Sequence, residues 1–381
     1  MFRRQSFFLS SLLWAGGLAF AVLLASLTLP LEKSFAQTAP AFEAGELPLE
    51  GGRVPGGALG AQATSDMWRA IREGTAGRVQ TLNPQAGVMI QSEGDNWRAL
   101  RNGPLKTYGA WLMLGVIGLL ALFFLLRGRI RIASGWSGIM IDRFNSLDRF
   151  AHWLTATSFV ILAITGLNVM FGRYLLLPLL GPEVFGTITL AGKYAHNYLA
   201  LPFALGLLLM LVLWIGHNIP NRHDIIWILK GGGIFSRKVH APARKFNAGQ
   251  KILFWAVILG GFSLVLSGVA LMFPFQTALW AGTFSFLGSL GIEVPLAVTP
   301  MMEMQLNSLW HGIVALVMIA IILGHIYIGT IGMEGAFSAM GSGKVDLNWA
   351  REHHSLWVEE QEGRASRPPE GGAEGATAPA E

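Results

Sequence analysis

Five apolar stretches, each about 20 residues long, constrain the fold of this chain more than any other feature of its sequence. We place them at 107–126, 151–172, 195–216, 252–273 and 307–329. A helix of about 20 residues is about 30 Å long, which matches the hydrocarbon core of a bilayer. Charged residues make up only 13% of the chain, against about 25% in soluble domains. The sequence therefore predicts an all-α integral membrane protein.

Basic residues predict which helix ends face the cytoplasm. The segments 127–150 and 217–251 carry five and seven Lys and Arg residues, whereas 274–306 carries none. Because cytoplasmic loops are enriched in Lys and Arg, the first two segments are predicted to be cytoplasmic, and parity places the tail, 331–381, on the same side. Because one predicted span separates residues 37–106 from the cytoplasmic segment 127–150, residues 37–106 are predicted to lie on the exported side. We therefore expect a multi-pass protein of the bacterial inner membrane.

The amino end predicts a secretory signal. Residues 1–36 contain two early arginines, a long apolar stretch and small residues that resemble a cleavage site, although the stretch is long enough for an uncleaved anchor. Residues 37–106 are polar and rich in Gly, Pro and Ala, which predicts a loose periplasmic segment with a short helix near residues 67–69. The extra helix at 107–126 precedes the core, and the end of the tail is predicted to be disordered.

The chain contains no cysteine. This excludes disulfides, cysteine-ligated zinc, iron–sulfur clusters and covalently attached c-type haem in this chain. A cofactor would need His, Met or carboxylate ligands. The net charge of +5 is accounted for by cytoplasmic loops, so we expect a lipid membrane and no nucleic acid as a partner.

Histidines at the ends of the predicted spans form two candidate pairs. His311 and His325 lie on one helix, fourteen residues apart, which is nearly four turns, so they share a face about 21 Å apart along the axis. His152 lies at the cytoplasmic start of its helix, and His196 at the exported start of the next. The topology therefore pairs His152 with His325 and His196 with His311.

Two imidazole pairs at two depths suit two b-type haems. With both axial positions of the iron filled, such a site favours electron transfer over oxygen chemistry. His217 is a rival cytoplasmic ligand, but it precedes Pro220, where the helix should end, and is expected at the headgroup boundary. Glycines could admit a flat haem ring or serve helix packing; they are Gly166, Gly206, Gly268 and Gly324. Other histidines are expected in solvated loops; they are His223, His240, His353 and His354.

An ordered set of short motifs runs through residues 141–358. It consists of DRFAHW at 148–153, HNIP at 217–220, KFNAGQK at 245–251, LWHG at 309–312, HIY at 325–327 and GSGKV at 341–345. The set resembles the gamma subunit of respiratory formate dehydrogenase, the membrane-anchored di-haem cytochrome b of that complex. The resemblance implies a four-helix di-haem core over 151–330, to which the helix at 107–126 is an addition.

The resemblance also implies a set of ligands and partners. A quinone site beside the cytoplasmic haem would use Asn247, whose amide can bond a quinone oxygen, and Gly249, which would allow close approach of the ring. Asn247 could equally serve only as a helix cap. The implied partners are an iron–sulfur beta subunit, a molybdenum or tungsten alpha subunit, and menaquinone or ubiquinone. The implied axial ligands of the two haem b groups are His152, His196, His311 and His325.

The function predicted from these features is electron transfer from an exported formate-oxidising subunit through two haems to quinone on the cytoplasmic side. The chain itself is not expected to oxidise formate. One alternative is the cytochrome b of a membrane hydrogenase or of another molybdoenzyme, which the same ligands could serve. A transporter with proton-relaying histidines is an alternative of another class, and it predicts no visible absorbance. A purely structural anchor would leave the paired histidines unexplained.

Overall fold

A computed structural model describes residues 94–233, 239–295 and 298–365. The predicted signal, most of the predicted exported segment, with its short helix, and the end of the tail lie outside these residues. Within them, five helical segments are long and apolar enough to cross a membrane, which confirms the five predicted spans. They cover Asn96–Arg127, Ser146–Leu175, Leu177–His217, Ala248–Met272 and Pro300–Gly332.

The described chain is mostly helical. The α-helices are α1 Gly94–Leu100, α2 Lys106–Arg127, α3 Ser146–Leu175, α4 Leu177–Trp214, α5 Arg222–Leu229, α6 Ala248–Met272, α7 Leu279–Ser289, α8 Pro300–Tyr327, α9 Ser338–Gly341, α10 Leu347–His353 and α11 Ser355–Ala365. Short π or 3-10 turns occupy Arg101–Leu105, Ile215–His217, Gly231–Gly233 and Ile328–Gly332. The strands β1, Met140–Asp142, and β2, Lys344–Asp346, pair antiparallel.

The chain divides into two compact units. Among the described residues, the first unit contains those within 94–111 and 263–316, and the second contains those within 112–262 and 317–365. In the second unit, α3 and α4 pack closely along their lengths. They approach closely at Gly206, where an added Cβ would lie 3.0 Å from the backbone nitrogen of Thr155. Gly206 therefore serves helix packing, the alternative to a haem contact that the sequence left open.

The helix α3 begins five residues before the predicted start because of a capping box. The side chain of Asn145 accepts a hydrogen bond from the backbone nitrogen of Asp148, and the Asp148 carboxylate accepts one from the nitrogen of Asn145. These bonds satisfy two backbone N–H groups that a helix start otherwise leaves unpaired. Asp148 also accepts a bond from Trp214 Nε1 at 2.7 Å, so the start of α3 is tied to the end of α4.

The helix α4 extends well before its predicted start at residue 195. It begins at Leu177 and contains one non-helical residue, Gly181, with φ of 75° and ψ of 168°. Pro182 follows this break, and a proline is compatible with the first turn that resumes the helix. The segment 173–194, which lies between the predicted spans 151–172 and 195–216, is therefore mostly helical. The other end agrees with the prediction, since the helical turn stops at His217.

The second unit also contains a polar structure that we call the cap, formed by residues 128–145, 239–247 and 333–358. Three carboxylates in residues 333–358 accept hydrogen bonds from backbone N–H groups in residues 128–145. Glu334 accepts from Ile132 N, Asp346 from Ser137 N and Gly138 N, and Glu352 from Ala133 N and Ser134 N, over sequence separations of 202 to 219 residues. The pairing of β1 with β2 adds to these links.

In the first unit, a buried carboxylate fixes the start of α7. Glu303 on α8 is 2% exposed, and its oxygens accept from Trp280 N at 2.8 Å and Ala281 N at 3.1 Å. Asn307, one turn further along α8, donates to Glu303 at 3.3 Å. Because Ala278, the residue before α7, makes no side-chain cap, Glu303 provides the cap from another helix.

Candidate functional site

The structure brings His152 and His325 together. His152 lies on α3 and His325 near the end of α8, and both belong to the second unit. Their ring centres are 6.2 Å apart and their planes are inclined by 71°. One ring nitrogen of His152, Nδ1, is buried without a hydrogen-bond partner in the described part of the chain. A buried imidazole of this kind is an incomplete site that a ligand could complete.

This spacing fits a single metal atom between two imidazoles. A metal–imidazole bond is about 2 Å long and the ring centre lies roughly 1 Å from each nitrogen, so two rings that share a metal are about 6 Å apart. At Gly324, the neighbour of His325, no atom of the described residues lies within 4 Å of the position that a Cβ would take. The side of α8 next to His325 therefore has space beside its backbone.

His196, the second predicted ligand on the α3–α4 pair, is held by a threonine. Its Nδ1 lies 2.8 Å from Thr165 Oγ1. The Thr165 hydroxyl also bonds the carbonyl oxygens of Ile161 at 2.8 Å and Leu162 at 3.1 Å. Gly166 lies against the same imidazole, since an added Cβ would be 3.5 Å from His196 Cε1. This glycine makes room for the ligand ring.

His311 has the same surroundings in the first unit. Its Nδ1 lies 2.9 Å from Ser267 Oγ, and that hydroxyl bonds the carbonyl oxygen of Ser263 at 2.8 Å. A Cβ added to Gly268 would be 3.4 Å from His311 Cε1. At both His196 and His311, a hydroxyl residue followed by a glycine therefore contacts a predicted ligand. The pairing of His311 with His196, which lies in the other unit, stays a prediction from the sequence.

His217 takes no part in the His152 and His325 pair. It ends the 3-10 turn after α4, its side chain is exposed, and its ring centre lies 6.3 Å from that of Phe246. The position agrees with the expectation that this histidine lies at the end of its helix.

Asn247 caps α6. Its Oδ1 accepts a hydrogen bond from Gln250 N at 2.9 Å, and Gln250 Oε1 accepts one from Asn247 N at 3.0 Å. This is a capping box with glutamine as its second partner. Because the oxygen of the amide makes the cap, its NH₂ group is the part that could donate to a quinone oxygen. The two roles weighed from the sequence are therefore compatible.

Gly249 is covered by an indole ring. A Cβ at this position would lie 2.9 Å from Trp227 Cη2 and 3.4 Å from Asn247 Oδ1. The missing side chain thus allows Trp227 to lie close to Asn247. A quinone ring at Gly249 would have to stack beside this indole or displace it.

The cap contains a buried cation that the sequence analysis missed. Arg143 is 4% exposed, and its Nη2 donates to Lys245 O at 2.6 Å and to His354 Nε2 at 3.0 Å. Its Nε and Nη1 are buried without hydrogen-bond partners in the described residues. Burial lowers the pKa of Arg143 to about 9, so it still carries its charge at neutral pH. Three aromatic rings lie 5.0 to 5.4 Å from its guanidinium carbon; they belong to Phe144, Trp349 and Trp357.

The expectation that His354 is solvated was wrong. His354 is 1% exposed, and its Nδ1 donates to Arg244 O at 2.7 Å, because its Nε2 accepts from Arg143. Burial lowers the pKa of His354 well below its ordinary value, and the positive charge of Arg143 lowers it further. Burial also lowers the pKa of His353, to about 4. The pattern of a polar tail gave no signal of this burial, which depends on contacts with residues far away in sequence.

Long apolar helices that bring two imidazoles together define a membrane protein with a candidate cofactor site between His152 and His325. The family model of prokaryotic cytochrome b561 matches residues 143–343. The chain belongs to this family, and it is a multi-pass membrane cytochrome b.

Curated proteins similar to the chain are subunits of formate dehydrogenases. The cytochrome b556(Fdn) subunit of the nitrate-inducible formate dehydrogenase of Escherichia coli is 29% identical over 225 residues, which are 58% of this chain and 92% of that protein. The cytochrome b556(fdo) subunit of formate dehydrogenase from the same species is 29% identical over 220 residues, with the same coverage. The formate dehydrogenase cytochrome b556 subunit of Haemophilus influenzae is 26% identical over 223 residues, 58% of this chain and 83% of that protein. The resemblance stated from the motifs is therefore confirmed.

Proposed function

We propose that this chain is the di-haem cytochrome b subunit of a formate dehydrogenase and passes electrons from an iron–sulfur subunit to membrane quinone. The observation that carries the proposal is the 6.2 Å spacing of the His152 and His325 rings, found in a member of the cytochrome b561 family that is similar to formate dehydrogenase subunits. His152 and His325 would together hold a haem iron, and a haem held by two histidines would supply electron transfer rather than oxygen chemistry.

Two haem b groups are proposed. His152 and His325 would hold the inner haem, near the cytoplasm, and His196 and His311 the outer haem, near the periplasm. When bound, a haem would supply one-electron transfer at each site. The orientation rests on the positive-inside rule, which places the basic cap on the cytoplasmic side of the inner membrane.

The electron donor proposed for the complex is formate. Its oxidation by a molybdenum or tungsten subunit releases carbon dioxide, one proton and two electrons, and the iron–sulfur subunit delivers the electrons to the outer haem. At the cytoplasmic side, a quinone takes up two electrons and two protons to form the quinol. Proton uptake on that side, with electrons arriving from the other, would store charge across the membrane.

The quinone would bind near the start of α6. The Oδ1 atom of Asn247 is engaged in the helix cap, so the amide nitrogen would donate to a quinone oxygen and orient the ring. Trp227 lies next to Gly249 and would provide an aromatic face beside that ring. Menaquinone and ubiquinone both carry the carbonyl oxygens that this contact requires.

The proposal is tested by purifying the complex from cells that supply haem and adding one substrate at a time. Pyridine haemochrome analysis should give two b haems per copy of this chain. Formate should reduce both haems, and a quinone should reoxidise them. A colourless preparation would favour the transporter, and reduction by hydrogen but not by formate would favour the hydrogenase cytochrome.

A further inference from the structure

We propose that Thr165 and Ser267 are positioning residues for the outer haem, each of which selects the ring nitrogen that its histidine presents to the iron. The inference rests on the proposed function, because it takes His196 and His311 as the outer ligands. It concerns residues outside the ligand set and outside the motifs that carry the family resemblance.

The neighbours of the Thr165 hydroxyl fix the direction of its hydrogen bond to His196. A hydroxyl group has one hydrogen to donate. The Thr165 hydroxyl lies within bonding distance of the carbonyl oxygens of Ile161 and Leu162, at 2.8 and 3.1 Å. When its hydrogen points to these carbonyls, Oγ1 can only accept from His196 Nδ1, 2.8 Å away. The proton of the neutral imidazole is then on Nδ1, and Nε2 is left with the lone pair that binds iron.

The same pairing of a hydroxyl group with a histidine occurs on two other helices. Ser267 on α6 bonds the carbonyl of Ser263, four residues earlier, and its Oγ lies 2.9 Å from His311 Nδ1 on α8. Thr165 on α3 also bonds the carbonyl four residues earlier and faces His196 on α4. In both cases the hydroxyl is on the spanning helix that precedes the ligand helix.

A glycine follows each of the two hydroxyl residues and lies against the same imidazole. An added Cβ would lie 3.5 Å from His196 Cε1 at Gly166 and 3.4 Å from His311 Cε1 at Gly268. Each imidazole therefore lies against bare backbone on one side and is hydrogen-bonded by the preceding residue. A hydroxyl residue and a glycine together fix both the tautomer and the position of the ring.

The inner ligand His152 differs, since its Nδ1 is buried without a partner in the described residues. An acceptor on Nδ1–H makes an imidazole a more basic ligand, and such supporting contacts contribute about 10- to 100-fold to metal affinity. A more basic ligand stabilises oxidised iron over reduced iron. Thr165 and Ser267 should therefore lower the midpoint potential of the outer haem.

The decisive variants are Thr165→Val and Ser267→Ala, which remove the hydroxyl with little change in size. We expect the outer haem to bind about 10- to 100-fold more weakly and its midpoint potential to rise, while the inner haem keeps its potential. A tenfold greater loss of affinity for the oxidised than for the reduced form corresponds to a rise of about 59 mV. Thr165→Ser and Ser267→Thr should keep the wild-type potential.

A matched control is available on the same helix. Thr157 bonds the carbonyl oxygen of Trp153 at 2.7 Å, as Thr165 bonds that of Ile161, but among the described residues it bonds no histidine. Thr157→Val should leave both potentials unchanged. If Thr165→Val does not assemble, Thr165→Cys provides the test, because its weakly accepting sulfur should raise the outer potential by an intermediate amount.

Redox titrations followed by optical and paramagnetic resonance spectra separate the possible failures. An unchanged outer-haem potential in Thr165→Val or Thr165→Cys, with two haems bound, overturns the positioning role and leaves the proposed function intact. A wild-type chain without two haems overturns the proposed function itself.

Discussion

The imidazole rings of His152 and His325 lie 6.2 Å apart, although one residue is on the third helix of the described chain and the other is on the eighth. If they are the ligands of the inner haem, His152→Ala or His325→Ala should remove that haem and leave the outer one. Optical spectra and haem counts of the purified variants provide the measurement. His217→Ala is the control and should keep both haems. Loss of a haem in His217→Ala, but not in His152→Ala, would show that the inner pair is assigned wrongly.

The two roles of Asn247 can be separated by substitution. Asn247→Ser keeps a good capping residue and removes the amide NH₂, whereas Asn247→Ala removes both. Quinone binding should weaken roughly three- to tenfold in both variants, because one hydrogen bond contributes about 0.5–1.5 kcal/mol. Only Asn247→Ala should also lower stability, by about 1 kcal/mol.

Stopped-flow reoxidation of formate-reduced haems and thermal unfolding provide the two readouts for Asn247. Gln250→Ala is a useful control, since it removes the reciprocal bond of the capping box and leaves the amide of Asn247 in place. Normal reoxidation in Asn247→Ser would restrict this residue to its structural role.

The cap should loosen in mild acid. Burial lowers the pKa of His353 from 6.5 to about 4, and burial also lowers that of His354, so both are neutral when folded at neutral pH. Below pH 6.5 the unfolded tail binds protons that the folded tail does not, so stability falls as the pH falls toward 4. Hydrogen exchange of residues 333–358, corrected for intrinsic rates, should be faster at pH 5 than at pH 7. His353→Gln should reduce this difference; equal protection at both pH values would contradict the prediction.

The hydrogen bonds from the start of α7 to Glu303 should stabilise the first unit. Glu303→Ala leaves the backbone N–H groups of Trp280 and Ala281 without the carboxylate that bonds them, at an expected cost of about 1–3 kcal/mol. Glu293 is exposed in the same unit, so Glu293→Ala is the matched control and should change stability little. Detergent unfolding followed by circular dichroism compares the two, and an equal loss of stability would show that burial of Glu303 is unimportant.

Two glycines of α4 should differ in how much stability they lose when replaced by alanine. A Cβ at Gly206 meets the backbone of Thr155, whereas one at Gly186 has nothing within 4 Å. Gly206→Ala should cost about 1–3 kcal/mol, because α3 and α4 must move apart. Gly186→Ala should be neutral or stabilise by up to about 1 kcal/mol, because alanine favours the helix. The same unfolding measurement tests both, and a destabilised Gly186→Ala would mean that something covers that face.

The spanning helices could be predicted from the sequence because the bilayer imposes a length and an apolar composition that local sequence records. The meeting of His152 with His325 followed from helix direction and depth. The extension of α4 was missed because Gly181 and Pro182 predict a break, whereas the structure resumes the helix directly after them.

Other features depend on partners far away in sequence. The burial of His354 requires Arg143 and Arg244, and nothing near His354 indicates them. The bond from Thr165 to His196 requires the packing of α3 on α4. The only local signal was a hydroxyl residue before glycine in an apolar helix, which recurs at Ser267 and Gly268 and is too common a pair to be decisive alone.

The carboxylates of the cap also set an order of events during synthesis. The backbone groups of residues 132–138 find their partners 202 to 219 residues later in the chain. At about 5–20 residues per second, a ribosome needs roughly 10–40 s to produce them. Until then, these groups lack their native partners. The native contacts of the segment that precedes the helix of His152 can therefore form only after residues 334–352 have been synthesised.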